Sequence, residues 1–136
     1  MTVFSPLGWA AAGISQMEGA TWEHAMVHLN LAEPALFYVR LLFGAGDLIK
    51  HGVLRPEMKF HLTHRAVKEM NSAIGDPRRC TSEAIILAVS FIALYEVSFS
   101  GDMAVARLHR TAQARMIASR GGLSALNLPD IVKHIV

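Results

Sequence analysis

The residues best equipped for chemistry sit in one run, HRTAQARMIASRGG, residues 109–122. Histidine is the side chain most often used as a general base, and His109 stands at the head of this run. An arginine beside two glycines is a possible anion cradle. Phosphate loops, however, place their glycines ahead of a helix, and here they follow one. Arg120-Gly121-Gly122 therefore reads as a helix C-terminus, with the arginine near the last carbonyls and Gly121 as the left-handed closing residue. On a helical wheel Val105, Leu108, Ala112 and Met116 form one stripe, and His109 falls inside it. The reading for His109 is a buried histidine that hydrogen-bonds a neighbour; a catalytic base or ligand contact is the sharper alternative. Arg107, Arg110 and Arg115 point in different directions, whereas a groove-reading DNA helix needs a single basic face.

Other candidates carry less. His24 and His28 are spaced i, i+4 and His61 and His64 i, i+3, but two ligands of the usual four do not make a metal site. WEHAMVH also lacks the glutamate order of a metalloprotease helix. Serines and Asp47, Asp76, Asp102 and Asp130 are present without a nucleophile elbow. Arg78-Arg79 reads as a solvated loop pair, with contact to an acidic partner as the alternative. Aromatics are not interleaved with basic residues, which disfavours stacking on single-stranded nucleic acid. The scattered methionines read as core filler. No metal, cofactor or catalytic residue is assigned, and binding is favoured over catalysis.

The elements that must position these residues follow from composition and punctuation. The chain has 136 residues, 52% hydrophobic and 18% charged, with a formal net charge of +2. That is the size of one domain with a real core, and apolar enough to suggest a partner surface. The charge is too small to argue for nucleic acid. Cys80, the single cysteine, excludes an internal disulfide and a cysteine-cluster metal site, and fits a reducing, intracellular compartment. No basic residue precedes the apolar run near the N-terminus, so no secretory signal is assigned. The greasiest stretch, Ala84 to Tyr95, has only 12 uncharged residues, against about 20 for a membrane span. It reads as a buried helix, and no membrane partner is expected.

Residues 1–20 read as irregular, and 21–136 as one all-α domain: a helical bundle of about five to six helices. Thr21 is expected to cap a short first helix to Leu31. Glu33-Pro34 opens a second, loosened at Gly44 and Gly46 and ended at His51-Gly52. Pro56 opens a third, with Phe60, Val67, Met70 and Ile74 as its apolar stripe and Ala66 and Ala73 beside it. Thr81 is expected to cap a central apolar helix over about 82–99, ended at Gly101. Asp102 caps a fifth, running to Arg120, and a short sixth starts at Pro129. No segment alternates as a strand would.

One resemblance emerges from these pieces. His64-Arg65-Ala66 leading to Met70-Asn71 and Asp76-Pro77, then Thr81-Ser82 and Tyr95-Glu96, then Gly101-Asp102, His109, Met116 and Arg120-Gly121-Gly122-Leu123 closely resemble the middle regulatory region of fungal zinc-binuclear-cluster transcription factors. The likeness is good over residues 56–136, loose over 33–55 and absent over the first twenty. It implies an all-α fold, a role in transcriptional regulation and work in the nucleus, with the cytoplasm as the alternative. The family's cysteine cluster is missing, so sequence-specific DNA binding does not carry over. The family's region is also longer, which makes this chain resemble a fragment of a larger helical domain.

The expected function is thus a transcription-regulator-like helical module acting through protein contacts, including self-association, or through a small effector pocket. The alternative is a stand-alone helical protein that binds or converts a small metabolite. A short connection around Ser100 makes the fourth and fifth helices antiparallel. Glu83 is then expected beside Arg120, and Glu96 beside Arg107 or His109. His109 and Arg120, roughly 16 Å apart along one helix, should not share a site.

Overall fold

The computed structural model describes residues 15–136, which form six α-helices and, among the described residues, no strand. The first fourteen residues, part of the segment expected to be irregular, lie outside the described residues. Helix α1 spans Gln16–Ala32, so it starts earlier than expected. Its cap is Ser15, which forms a reciprocal capping box with Glu18. Thr21 instead lies inside the helix and donates to the carbonyl of Met17. Glu33 alone separates α1 from α2 (Pro34–Lys50). It is buried, and its carboxylate accepts from the amide of Ala35, capping α2 directly.

Helix α2 runs unbroken through Gly44 and Gly46. Gly46 is not a weak point but a close approach: a Cβ there would lie 2.7 Å from the ring of Phe99. The helix ends where Gly52 takes a φ of 73°. Helix α3 (Met58–Ile74) packs on α2 through Ala66, Met70 and Ala73. This inverts part of the expected stripe, because Phe60, Val67 and Ile74 are all exposed. Small side chains let the two helices come close, and the larger ones are displaced to the outer face.

Helix α4 (Glu83–Tyr95) is the centre of the bundle, as its all-round apolar sequence requires. Ser82 caps it rather than Thr81, its Oγ accepting from the amide of Ile85 at 3.2 Å. The helix continues as a π turn, Glu96–Ser100, until Gly101 at φ 71° stops it. The eighteen residues 83–100 are long and apolar enough to cross a bilayer by count alone, but 56% of them are buried within the bundle. Helix α5 (Met103–Ser119) is capped by Asp102 and returns antiparallel to α4. A 3-10 turn (Leu123–Ala125) and the short α6 (Asp130–Lys133) close the chain against α1.

The result is two helical hairpins, α2/α3 and α4/α5, joined along a seam between α2 and α4. Gly46 and Phe43 of α2 meet Phe99 beyond the end of α4, so those two helices run in the same direction. Trp22, Phe43, Phe91, Tyr95 and Phe99 make a chain of edge-on and tilted ring contacts through the core. Met26 and Met70 fill the core as expected, whereas Met17 is 80% exposed and Met58 and Met103 are exposed as well.

Candidate functional site, a groove between two hairpins

The outer helices α3 and α5 do not close on each other. Between them lies a groove of about 470 Å³, floored by Val39 and Leu42 of α2 and by Val89 and Ile92 of α4. Pockets of roughly 300–1,000 Å³ with apolar walls and few polar groups are the usual form of small-molecule sites. The α3 wall presents Ala66, Val67, Met70 and Ile74, and the α5 wall Ala112 and Met116. Antiparallel packing sorts the polar groups. Lys59 and Thr63 start α3, Tyr95, Glu96 and Ser100 finish α4, and His109 lies in the first half of α5. All six gather toward one end, leaving Asn71 as the polar group toward the other. Burial pushes the Tyr95 phenol up from its ordinary value, and the charge of Glu96 adds to that effect.

The expected site residues separate into two groups. Glu83 and Arg120 meet: Arg120 Nη2 donates to Glu83 Oε1 at 2.5 Å and Nη1 to Oε2 at 3.2 Å. Arg120 also donates to the carbonyl of Thr81, and Glu83 accepts from the amide of Asn127. The Arg120 guanidinium holds the Glu83 carboxyl below its usual range. This assembly ties α5 to the start of α4 and lies outside the groove. His109 and Glu96 both line the groove, but Glu96 makes no ion pair with His109 or with Arg107, contrary to expectation. Arg107 is exposed and does not line the groove. His109 is half-buried, and no described side chain hydrogen-bonds its ring. Gly121 and Gly122 adopt φ 99° and 100°. The amides of Gly122 and Gly121 bond the carbonyls of Ile117 and Ala118, a Schellman termination.

The buried face of α5 is rotated from the one expected. Ala106 and Gln113 face the core and Leu108 is 68% exposed. Arg110 therefore turns inward. Its Nη1 donates to Ser90 Oγ, to Gln113 Oε1 at 2.9 Å and to the carbonyl of Ile135 at 2.8 Å. Gln113 Nε2 in turn donates to Ser90 Oγ and to the carbonyl of Ile86. Desolvation lowers the Arg110 pKa. The signal for this network was Ser90, the one hydroxyl in the continuous buried run 84–91, which must find a partner. Arg79 is likewise not a free loop residue. It grips buried Glu33 with two hydrogen bonds, 2.9 and 2.6 Å.

Among the described residues no three His, Cys, Asp or Glu side chains converge on a point that could hold a metal. His24 and His28 line a shallower hollow of about 250 Å³ with Asn127 and Pro129.

An all-helical module with an open apolar cleft between its hairpins is the class that fold and groove define. The chain belongs to the fungal specific transcription factor domain family, whose model matches residues 12–133. The match takes in all of α1 and reaches back into the first twenty residues, where the sequence by itself suggested no likeness. Comparisons with curated proteins and with solved structures gave no match.

Proposed function

We propose that this chain is a regulatory module of transcription whose groove between α3 and α5 receives a small, largely apolar effector with a polar end, and that occupancy is passed on through protein contacts of the exposed helix faces. The observation that carries this reading is the groove itself: preformed, apolar at its floor, and polar at one end. Membership of a transcription factor domain family supports the regulatory half, and the nucleus is the place of work it favours. Catalysis is the weaker reading, because His109, the one histidine in the groove, has no hydrogen-bonded acid or nucleophile among the described residues. Sequence-specific DNA binding by this chain alone is not part of the proposal, since Arg110 is committed to the core and Arg107 and Arg115 are dispersed.

A hydrophobic fluorescent dye tests the groove. The wild type should bind it at a single saturable site. Ala112→Trp, which reaches into the groove from an exposed wall position, should abolish that site while leaving the helical spectrum intact. Equal saturable binding to both proteins, or none to the wild type, would overturn the proposal.

A further inference from the structure

The charge around the groove is lopsided. Helix α5 carries Arg107, Arg110 and Arg115 and no acidic residue between Met103 and Ser119. Helix α3 carries Lys59, Arg65 and Lys68 against a single acid, Glu69, which already lies 3.6 Å from Arg65. Counted as whole helices both are net basic, although of these bases only Lys59 lines the groove and Arg110 turns into the core. At the polar end of the groove Lys59 has no acidic partner within ion-pair distance among the described residues. Thr63, Ser100 and Tyr95 add hydroxyls there, and His109 a ring nitrogen. Glu96 is the one acid in the lining. From this end the walls run over Val67, Met70, Ile74 and Met116 toward Asn71, without another charged group. Lys59 to Ile74 spans fifteen residues of helix, roughly 22 Å.

We infer that the groove is built for an anionic amphiphile: a ligand with one carboxylate-like head and an elongated apolar body. This rests on the proposal that the groove is an effector site, and adds the class of effector. The head lies against Lys59, with the hydroxyls and His109 around it, and the body lies along the floor between Val89 and Ile92 and the α3 wall. A charge-assisted hydrogen bond to Lys59 at the rim of the groove supplies orientation, and burial of the body supplies most of the affinity. Glu96 opposes the head and thereby disfavours dianionic ligands.

Calorimetric titration of the full chain tests this with three probes of equal length, each below its micelle concentration: dodecanoate, dodecanol and dodecyltrimethylammonium. Dodecanoate should bind tightest. Lys59→Met should weaken dodecanoate about five- to twentyfold and leave dodecanol within about twofold. Glu96→Gln should tighten dodecanoate by about threefold or more, because a like charge is removed. Lys59 is exposed, so its replacement does not endanger folding. If dodecanol and the ammonium bind as well as dodecanoate at a site that Ala112→Trp closes, the inference about charge fails and the effector site stands. Preference for the ammonium, with weakening on Glu96→Gln, overturns it in favour of a cationic ligand. If no probe binds, or Ala112→Trp changes nothing, the effector site itself falls.

Discussion

Arg120 and Glu83 join the residue that follows one helix to the first of another: the guanidinium of Arg120, the C-cap of α5, clasps the carboxylate in the first turn of α4 with paired bonds of 2.5 and 3.2 Å. The acid lies at the positive end of the α4 dipole, where a carboxylate is favoured. Both side chains are only partly exposed, 22% and 30%. Arg120→Ala should therefore destabilise the protein by about 1–3 kcal/mol, more than an exposed pair would. The same pair sets a pH dependence. Glu83 has a lowered pKa when folded, so the folded state binds fewer protons than the unfolded chain in the acid range. Its contribution is complete above the ordinary carboxylate range and is lost as pH falls through the folded value. Denaturant titrations of wild type and Glu83→Gln should differ at neutral pH and converge in acid. A gap that stays constant with pH would contradict this.

Gly121→Ala should lower stability by about 1–2 kcal/mol, because its φ of 99° is unfavourable for any residue with a Cβ. The new Cβ would also lie 3.4 Å from that of Ala125. Gly101→Ala is a useful comparison: at φ 71° it meets no atom within 4 Å, so it should suffer backbone strain alone. Thermal melts of both variants should rank Gly121→Ala as the more damaging.

Gly46→Ala tests the seam between the hairpins. Its Cβ would overlap the Phe99 ring at 2.7 Å, forcing the ring or the π turn to move. Overpacking of this kind costs about 1–3 kcal/mol. A variant as stable as wild type would show that Phe99 moves aside freely.

Gln113→Ala should be the most harmful of the polar substitutions. It leaves Ser90 without one of its partners in a fully buried position and deprives Arg110 of an acceptor. A loss of about 2–4 kcal/mol is expected, and the double variant Gln113→Ala with Ser90→Ala should be less than the sum of the singles. Additive losses in denaturant unfolding would argue against a network.

The exposed apolar side chains Phe60, Val67, Ile74 and Leu108 should make the protein self-associate. Light scattering across a concentration series should show growth in mass, reduced by Phe60→Lys together with Leu108→Lys. A concentration-independent monomer would refute this.

Helix α4 was legible because an apolar run with no polar face has only one place to go. The Glu83–Arg120 contact was legible because a short turn fixes which residues of an antiparallel hairpin lie level. Helix α3 was only half legible. Its alanines and its large apolar residues lie on adjacent stripes, and the choice between them depends on how near α2 approaches, which is a property of the pair and not of either sequence. The face of α5 was misread for a related reason: Arg110 and Gln113 look like solvent residues until Ser90 and the carbonyls of Ile86 and Ile135 are seen to need donors or acceptors. The groove was not legible, since it exists where α3 and α5 fail to touch, and hydrophobic patterning records contacts rather than their absence.

The two walls of that groove are fastened differently, and its compliance is therefore one-sided. Helix α5 is bolted to α4 at two levels, by Gln113 and Arg110 in its middle and by Arg120 at its end. Helix α3 rests on α2 through Ala66, Met70 and Ala73, apolar packing to which the tie from Arg65 to the Tyr38 hydroxyl adds a hydrogen bond. A guest that wedged the groove open would work against apolar packing on one side and hydrogen-bonded clamps on the other. The loop behind α3 is itself held, where Arg79 grips Glu33 at the junction of α1 and α2, so any give in that wall lies along the helix and not at its end.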